Sequence, residues 1–94
     1  MITIKDFKKL KKEEYILVDV REKEELENGS IKGAKNIPSN KCAELIVKRW
    51  FPADKKVILY CEHGVRSGNL EEFAKMHGYK NFHSINGGYS EYKK

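Results

Sequence analysis

The sequence predicts an α/β domain built on a mainly parallel sheet with helices on both faces. Three observations predict it. Tyr15-Ile16-Leu17-Val18 and Val57-Ile58-Leu59-Tyr60 are continuous β-favouring apolar runs, as strands covered on both sides are. Segments with apolar residues at helical spacing alternate with these runs, the order that makes a parallel sheet. Finally, 94 residues are one domain's worth of chain, and a chain this short buries only roughly 60–65% of its unfolded surface. Residues 1–94 therefore read as a single domain with room for one compact site.

Thr3 followed by Asp6 resembles a capping box, and Ile4, Phe7 and Leu10 recur at helical spacing, so a first helix is expected to about Lys11. Tyr15–Val18 follows as a strand ended by Asp19. Glu22 to Glu27 favours a helix, with Asn28-Gly29 as its stop. Lys35-Asn36-Ile37 is extended because the residue before Pro38 is pushed out of the helical region. Ser39 or Asn40 can cap the next helix, whose buried face carries Cys42, Leu45, Ile46 and Trp50. Pro52 stops it, and Trp50-Phe51 reads as core. After the second apolar run, Leu70, Phe73, Ala74 and His77 mark another amphipathic helix closed by Gly78. A short strand near Phe82 to Ile85, the Asn86-Gly87-Gly88 turn and an aromatic tail from Tyr89 to Tyr92 complete the chain. The tail is expected to be a terminal helix packed back on the sheet.

Composition narrows the function classes. Nineteen Lys plus Arg against 14 Asp plus Glu leave a net charge of +5, but the lysines are scattered and no arginine-rich tract exists. A solvated lysine surface is favoured over nucleic-acid binding. No apolar run approaches the ~20 residues of a membrane helix, and MITIKDFKKL turns charged before a signal sequence can form. The expectation is a cytoplasmic protein without a membrane partner. Cys42 and Cys61 make neither a disulfide framework nor a Cys-x-x-Cys pair. Cys42 lies on an apolar helix face and reads as core. His63, His77 and His83 fall on different elements at no common ligand spacing, so no metal site is expected.

The chemistry is concentrated in Leu59 to Gly68, where a buried strand ends in a cysteine, a short polar loop and a helix start. Loop amides and the helix N-terminus together make a cradle for negative charge. A cysteine at its base has its thiolate stabilised, the condition for nucleophilic attack at neutral pH. Gly64 lets the loop turn, Arg66 supplies a permanent cation for an oxyanion, and His63 adds partial positive charge. Glu62 is discordant, because a carboxylate beside a thiolate raises the thiol pKa. It is expected to face solvent.

DVRE at Asp19 to Glu22, GSIKGAKNIP at Gly29 to Pro38, CEHGVRS at Cys61 to Ser67 and the Gly87-Gly88 pair together resemble the rhodanese family, in the family's order and over nearly the whole chain. The resemblance implies a rhodanese-like three-layer domain whose Cys61 accepts a sulfane sulfur as a persulfide. It implies Glu62, His63, Gly64, Val65 and Arg66 as the loop around that sulfur, with Ser67 among the substrate-binding positions. Asp19 and Arg21 match the DVRE pattern in a supporting role, a scaffold ion pair being the favoured reading. Two departures are Ser30, where the family's string usually has histidine, and Tyr89 or Tyr92, where a tryptophan often follows the double glycine.

The implied partners are a small anionic sulfur donor such as thiosulfate and a thiol, cyanide or sulfur-accepting protein as acceptor, with no metal or organic cofactor. Related phosphatases and arsenate reductases look like Cys-x5-Arg, whereas this chain reads Cys-x4-Arg, a shorter loop that crowds a phosphate and accepts a single sulfur. A non-catalytic persulfide carrier or protein-interaction module is the alternative from another class. The intact cysteine, glycine and arginine argue against it.

Overall fold

A computed structural model describes residues 1–94. Four strands, β1 (Tyr15–Asp19), β2 (Lys35–Asn36), β3 (Lys56–Tyr60) and β4 (Phe82–Ser84), form one sheet in the order β2-β1-β3-β4. Every pairing is parallel, and β1 meets β3 in register from Tyr15 opposite Lys56 to Asp19 opposite Tyr60. The two uninterrupted apolar runs are the two central strands. That position explains their composition, since both faces are covered and Val18, Val57, Ile58, Leu59 and Tyr60 have no exposed surface.

Alternation along the strands divides the core in two. Val18, Val57 and Leu59 point to the face covered by α2 (Ser39–Val47) and α3 (Val65–Met76), where they pack with Cys42, Ile46, Leu70 and Ala74. Leu17, Ile58 and Tyr60 point to the other face, against Phe7 of α1 (Ile4–Lys8) and Tyr89 of α4 (Gly88–Tyr92). The tail is thus a helix on the sheet, as its aromatic pattern predicts. No helix is long and apolar enough to cross a membrane.

Element ends depart from the sequence expectation for local reasons. Thr3 Oγ1 accepts from the Asp6 amide at 3.0 Å, but α1 ends at Lys8 instead of reaching Lys11. Lys11 is extended, at ψ 146°, and its amide donates to Glu14 Oε1 at 2.6 Å, opening a separate 3-10 turn over Lys12–Glu14. The Glu22 to Glu27 helix is a 3-10 helix over Lys23–Asn28, ended by Gly29 at φ 110°. Helix α2 has neither Ser39 nor Asn40 as its cap, because Pro38 precedes the first turn and its carbonyl receives the Cys42 amide at 2.9 Å.

Pro52 does not stop α2. Arg49 turns left-handed at φ 57°, its amide reaching Ile46 O at 3.1 Å and that of Trp50 reaching Leu45 O at 3.0 Å. The chain leaves the helix there, so Trp50 is 56% exposed instead of core, while Phe51 is buried edge-on to Phe82 at 5.1 Å. At the end of α3, Gly78 does close the helix, with Tyr79 N bonded to Ala74 O at 3.0 Å. His77 at that end is exposed instead of lying at the core edge, its ring 4.3 Å from that of Phe73.

Candidate active site

The site lies where β1 and β3 end side by side and the chain enters α3. Parallel sheets place loops and helix N-termini at this edge. Cys61 directly follows β3 and is 1% exposed. Its Sγ accepts from the Gly64 amide at 3.1 Å and the Ser67 amide at 3.5 Å, with the Ser67 hydroxyl also at 3.5 Å. Burial pushes the thiol up, but the Ser67 hydroxyl and the amides of Ser67, Gly64 and Arg66 outweigh it and hold Cys61 below the usual cysteine value. Cys42 lacks any such donors, and burial alone pushes it to about 12.

The turn that aims these amides needs glycine at two positions. Gly64 precedes α3 at φ 98°, in the left-handed region that L side chains rarely enter. Gly88, at φ 63°, lies so close to the loop that a Cβ there would stand 2.5 Å from Cys61 O and 2.7 Å from Glu62 O. The reason for that approach is visible one residue on. Tyr89 N donates to Cys61 O and Ser90 N to Glu62 O, both at 2.9 Å. In a planar trans peptide the N–H opposes the C=O. Turning these two carbonyls into α4 therefore turns the amides of Glu62 and His63 away from it.

Arg21 holds the loop from the other side. It is 1% exposed and grips Asp19 with Nε to Oδ1 at 3.0 Å and Nη2 to Oδ2 at 2.7 Å. It also donates to Gly29 O at 2.9 Å and to Glu62 Oε1 at 3.1 Å, beneath a 4.7 Å contact with the Tyr89 ring. The hydrogen bonds that the guanidinium donates to Asp19 are the largest influence raising its pKa. Glu62 is partly exposed, as expected, and is also paired: the register Asp19 opposite Tyr60 puts the ends of β1 and β3 together, and Glu62 takes the free edge of Arg21.

Arg66 is likewise not a free cation. Its Nη1 and Nη2 bind Glu25 Oε2 and Oε1 at 2.7 and 2.9 Å, a bidentate pair that draws Glu25 down to about 2. The pair links the Lys23–Asn28 turn to the first turn of α3, where the cysteine loop ends. His63 and Val65 are exposed beside it, Val65 at 70%. His77 and His83 lie elsewhere, at the end of α3 and in β4.

A Rhodanese-like domain model matches residues 3–94. The chain belongs to the rhodanese-like family. This rhodanese-like chain is 37% identical over 76 residues to the Bacillus subtilis protein YqhL, a match covering 81% of the chain and 59% of that protein. It is 30% identical over 74 residues to the thiosulfate sulfurtransferase GlpE of Shewanella oneidensis, covering 79% of the chain and 71% of GlpE. Against the tRNA uridine(34) hydroxylase of Hamiltonella defensa, 32% identity over 89 residues spans only 24% of that enzyme. Among solved structures, a rhodanese-related protein of Thermoplasma volcanium superposes with TM-score 0.81 at 33% identity, covering 98% of this chain and 89% of that one. The single-domain sulfurtransferase RDL2 of Saccharomyces cerevisiae superposes with TM-score 0.74 at 29% identity, covering 98% and 88%.

Within the rhodanese-like site, three participants carry no sequence signal of their own. Glu25 is one acidic residue in an acidic run. Asn36 binds the carbonyls of Asp19 and Arg21 through Nδ2 at 3.0 and 2.9 Å, fixing the end of β1. Ser84 is a fully buried polar residue at the end of β4, and its hydroxyl meets that of Ser67 at 2.7 Å.

Proposed function

We propose that the protein is a sulfurtransferase that carries a sulfane sulfur on Cys61 from an anionic donor such as thiosulfate to a nucleophilic acceptor such as cyanide or a thiol. The observation that supports this most is the Cys61 sulfur receiving the Gly64 amide at 3.1 Å at the base of the loop. In the first step the Cys61 thiolate attacks the outer sulfur of thiosulfate. An S–S bond forms to Cys61, the donor's S–S bond breaks, and sulfite leaves with the electron pair. In the second, the acceptor attacks the outer sulfur of the persulfide, and Cys61 departs as thiolate with the electron pair. Cyanide thereby becomes thiocyanate. No net oxidation of the protein occurs over the cycle.

The residues share this work as the geometry allows. The amides of Gly64 and Ser67 stabilise the thiolate as nucleophile and as leaving group. Arg21 and Asp19 touch no reacting atom and hold the loop through Glu62. Arg66, with both Nη groups on Glu25, ties the loop mouth together and lends diffuse positive charge near Cys61. Its engagement by Glu25 and the short loop favour a terminal sulfur over a tetrahedral phosphate.

Intact mass after incubation with thiosulfate, then after cyanide, reads loading and release separately. Wild type gains one sulfur and loses it to cyanide, while folded Cys61→Ser gains none. No gain on folded, reduced wild type overturns thiosulfate as donor. Loading that cyanide does not reverse points instead to a carrier that delivers to one docked protein.

A further inference from the structure

Ser84 sits in β4, and Ser67 in the first turn of α3, with their hydroxyl oxygens 2.7 Å apart and neither residue exposed. Each hydroxyl has one proton to donate. Ser67 Oγ has three acceptors within reach: Ser84 Oγ at 2.7 Å, Gly64 O at 3.4 Å and Cys61 Sγ at 3.5 Å. The Ser84 hydroxyl meets Ser67 alone. If Ser67 donates to Ser84, the Ser84 proton is buried without an acceptor and the sulfur loses a donor, a costly arrangement in a dry interior.

The opposite polarity satisfies both groups. Ser84 donates to Ser67, and the Ser67 proton is left for sulfur or for Gly64 O. A separation of 3.4 Å is too long for a good O–H···O bond, whereas 3.5 Å is ordinary for the larger sulfur atom. An anionic sulfur also attracts the proton more strongly than a carbonyl already inside a helix turn. We infer that Ser84 is a positioning residue of the sulfur-transfer site, donating to Ser67 and so holding the Ser67 proton on Cys61 Sγ.

The inference deepens the sulfurtransferase reading and rests on it for its catalytic meaning. The proton on sulfur stabilises the thiolate that attacks the donor and again the thiolate that leaves when the acceptor takes the outer sulfur. Ser84 touches neither the sulfur nor a substrate. It also accounts for a polar side chain that is fully buried at the end of β4.

The test is the pH dependence of Cys61 alkylation by iodoacetamide, followed by intact mass, which needs no sulfur donor. Ser84→Ala moves the midpoint to higher pH by roughly one unit, the effect of losing one hydrogen bond to a charged sulfur, and slows alkylation at neutral pH about tenfold. Ser67→Ala produces the same shift, and the double variant shifts no further. Ser84→Thr and Ser84→Val add the same bulk and differ in the hydroxyl, so Thr keeps the wild-type midpoint and Val behaves as Ala. A folded Ser84→Ala protein with the wild-type midpoint, additive shifts in the double variant, or Thr behaving as Val overturns the inference. Failure of wild type to load sulfur, with these alkylation shifts intact, instead overturns the sulfurtransferase reading and leaves the Ser84 arrangement standing.

Discussion

Arg21 Nη1 lies 3.1 Å from Glu62 Oε1 and so ties the end of β1 to the residue that follows Cys61. The same guanidinium is the sole ion-pair partner of the fully buried Asp19. Arg21→Met keeps the apolar stem but strands Asp19 as an unpaired buried anion, which costs about 3–5 kcal/mol. Urea unfolding reads the loss. Adding Asp19→Leu removes the orphan charge and recovers a large part of it. If Arg21→Met alone costs no more than a surface substitution, the pair is not the tether described.

The approach of Gly88 to the cysteine loop makes a second prediction. In Gly88→Ala the new Cβ meets backbone oxygen of Cys61 and Glu62, atoms that cannot swing aside as a side-chain tip can. Helix α4 is pushed away, and the bonds from Tyr89 N and Ser90 N break. Gly33→Ala is the control, since Gly33 shares a positive φ of 89° but has nothing within 4 Å of its Cβ. It loses only the conformational part, about 1–2 kcal/mol. Gly88→Ala loses more than this and also speeds hydrogen exchange at Tyr89 and Ser90. Equal losses in the two variants would count against the tight contact.

The two cysteines differ in environment enough to be told apart chemically. Hydrogen bonds lower Cys61, and burial raises Cys42 to about 12. Thiolate rises with pH, so near neutral pH Cys61 reacts and Cys42 stays protonated. Native protein is expected to take one iodoacetamide at pH 7, and Cys61→Ser none until denaturant is added. Modification of Cys42 in native Cys61→Ser protein would contradict its sealed position.

What the sequence discloses is mostly local. The apolar runs, the strand-to-cysteine junction and the glycine before Arg66 lie within a few positions of one another, so pattern and composition suffice to read them. The partners of those residues do not. Glu25 and Arg66, like Arg21 and Glu62, are separated by 41 positions and meet through parallel pairing of β1 and β3. Charge alone shows neither the partner of Arg66 nor that of Glu62, because a one-dimensional reading cannot assign ion pairs. Trp50 shows a different limit. Helical spacing continues through it, yet the left-handed turn at Arg49 ends α2 first, and a non-glycine residue at φ 57° leaves no mark on the periodicity. Ser84 is silent for a third reason, since a single serine in a short strand signals nothing until its neighbour across the core is known.

The Glu25–Arg66 pair bears on both stability and chemistry. Arg66 holds Glu25 at about 2 in the folded chain, below the ordinary 4.5. A carboxylate lowered on folding adds stability above its unfolded value, and that contribution is lost as pH falls from about 4.5 toward 2. With the side chains 33% and 38% exposed, solvent screening keeps the contribution below about 1 kcal/mol. Glu25→Gln therefore flattens the fall of stability over that range without unfolding the protein at neutral pH. Arg66→Met flattens it in part, because the Glu22 amide also holds Glu25 down, and the double variant behaves as Glu25→Gln, in which the titrating group is gone. Urea midpoints at pH 7 and pH 3 measure this cycle. Sulfur loading from thiosulfate then separates two roles for Arg66. As a tether at the loop mouth it requires Glu25, and Glu25→Gln slows loading alongside Arg66→Met. As an anion-binding cation it is restrained by Glu25, and Glu25→Gln speeds loading. The bidentate geometry at 2.7 and 2.9 Å favours the tether, so slower loading in both variants is the expected result.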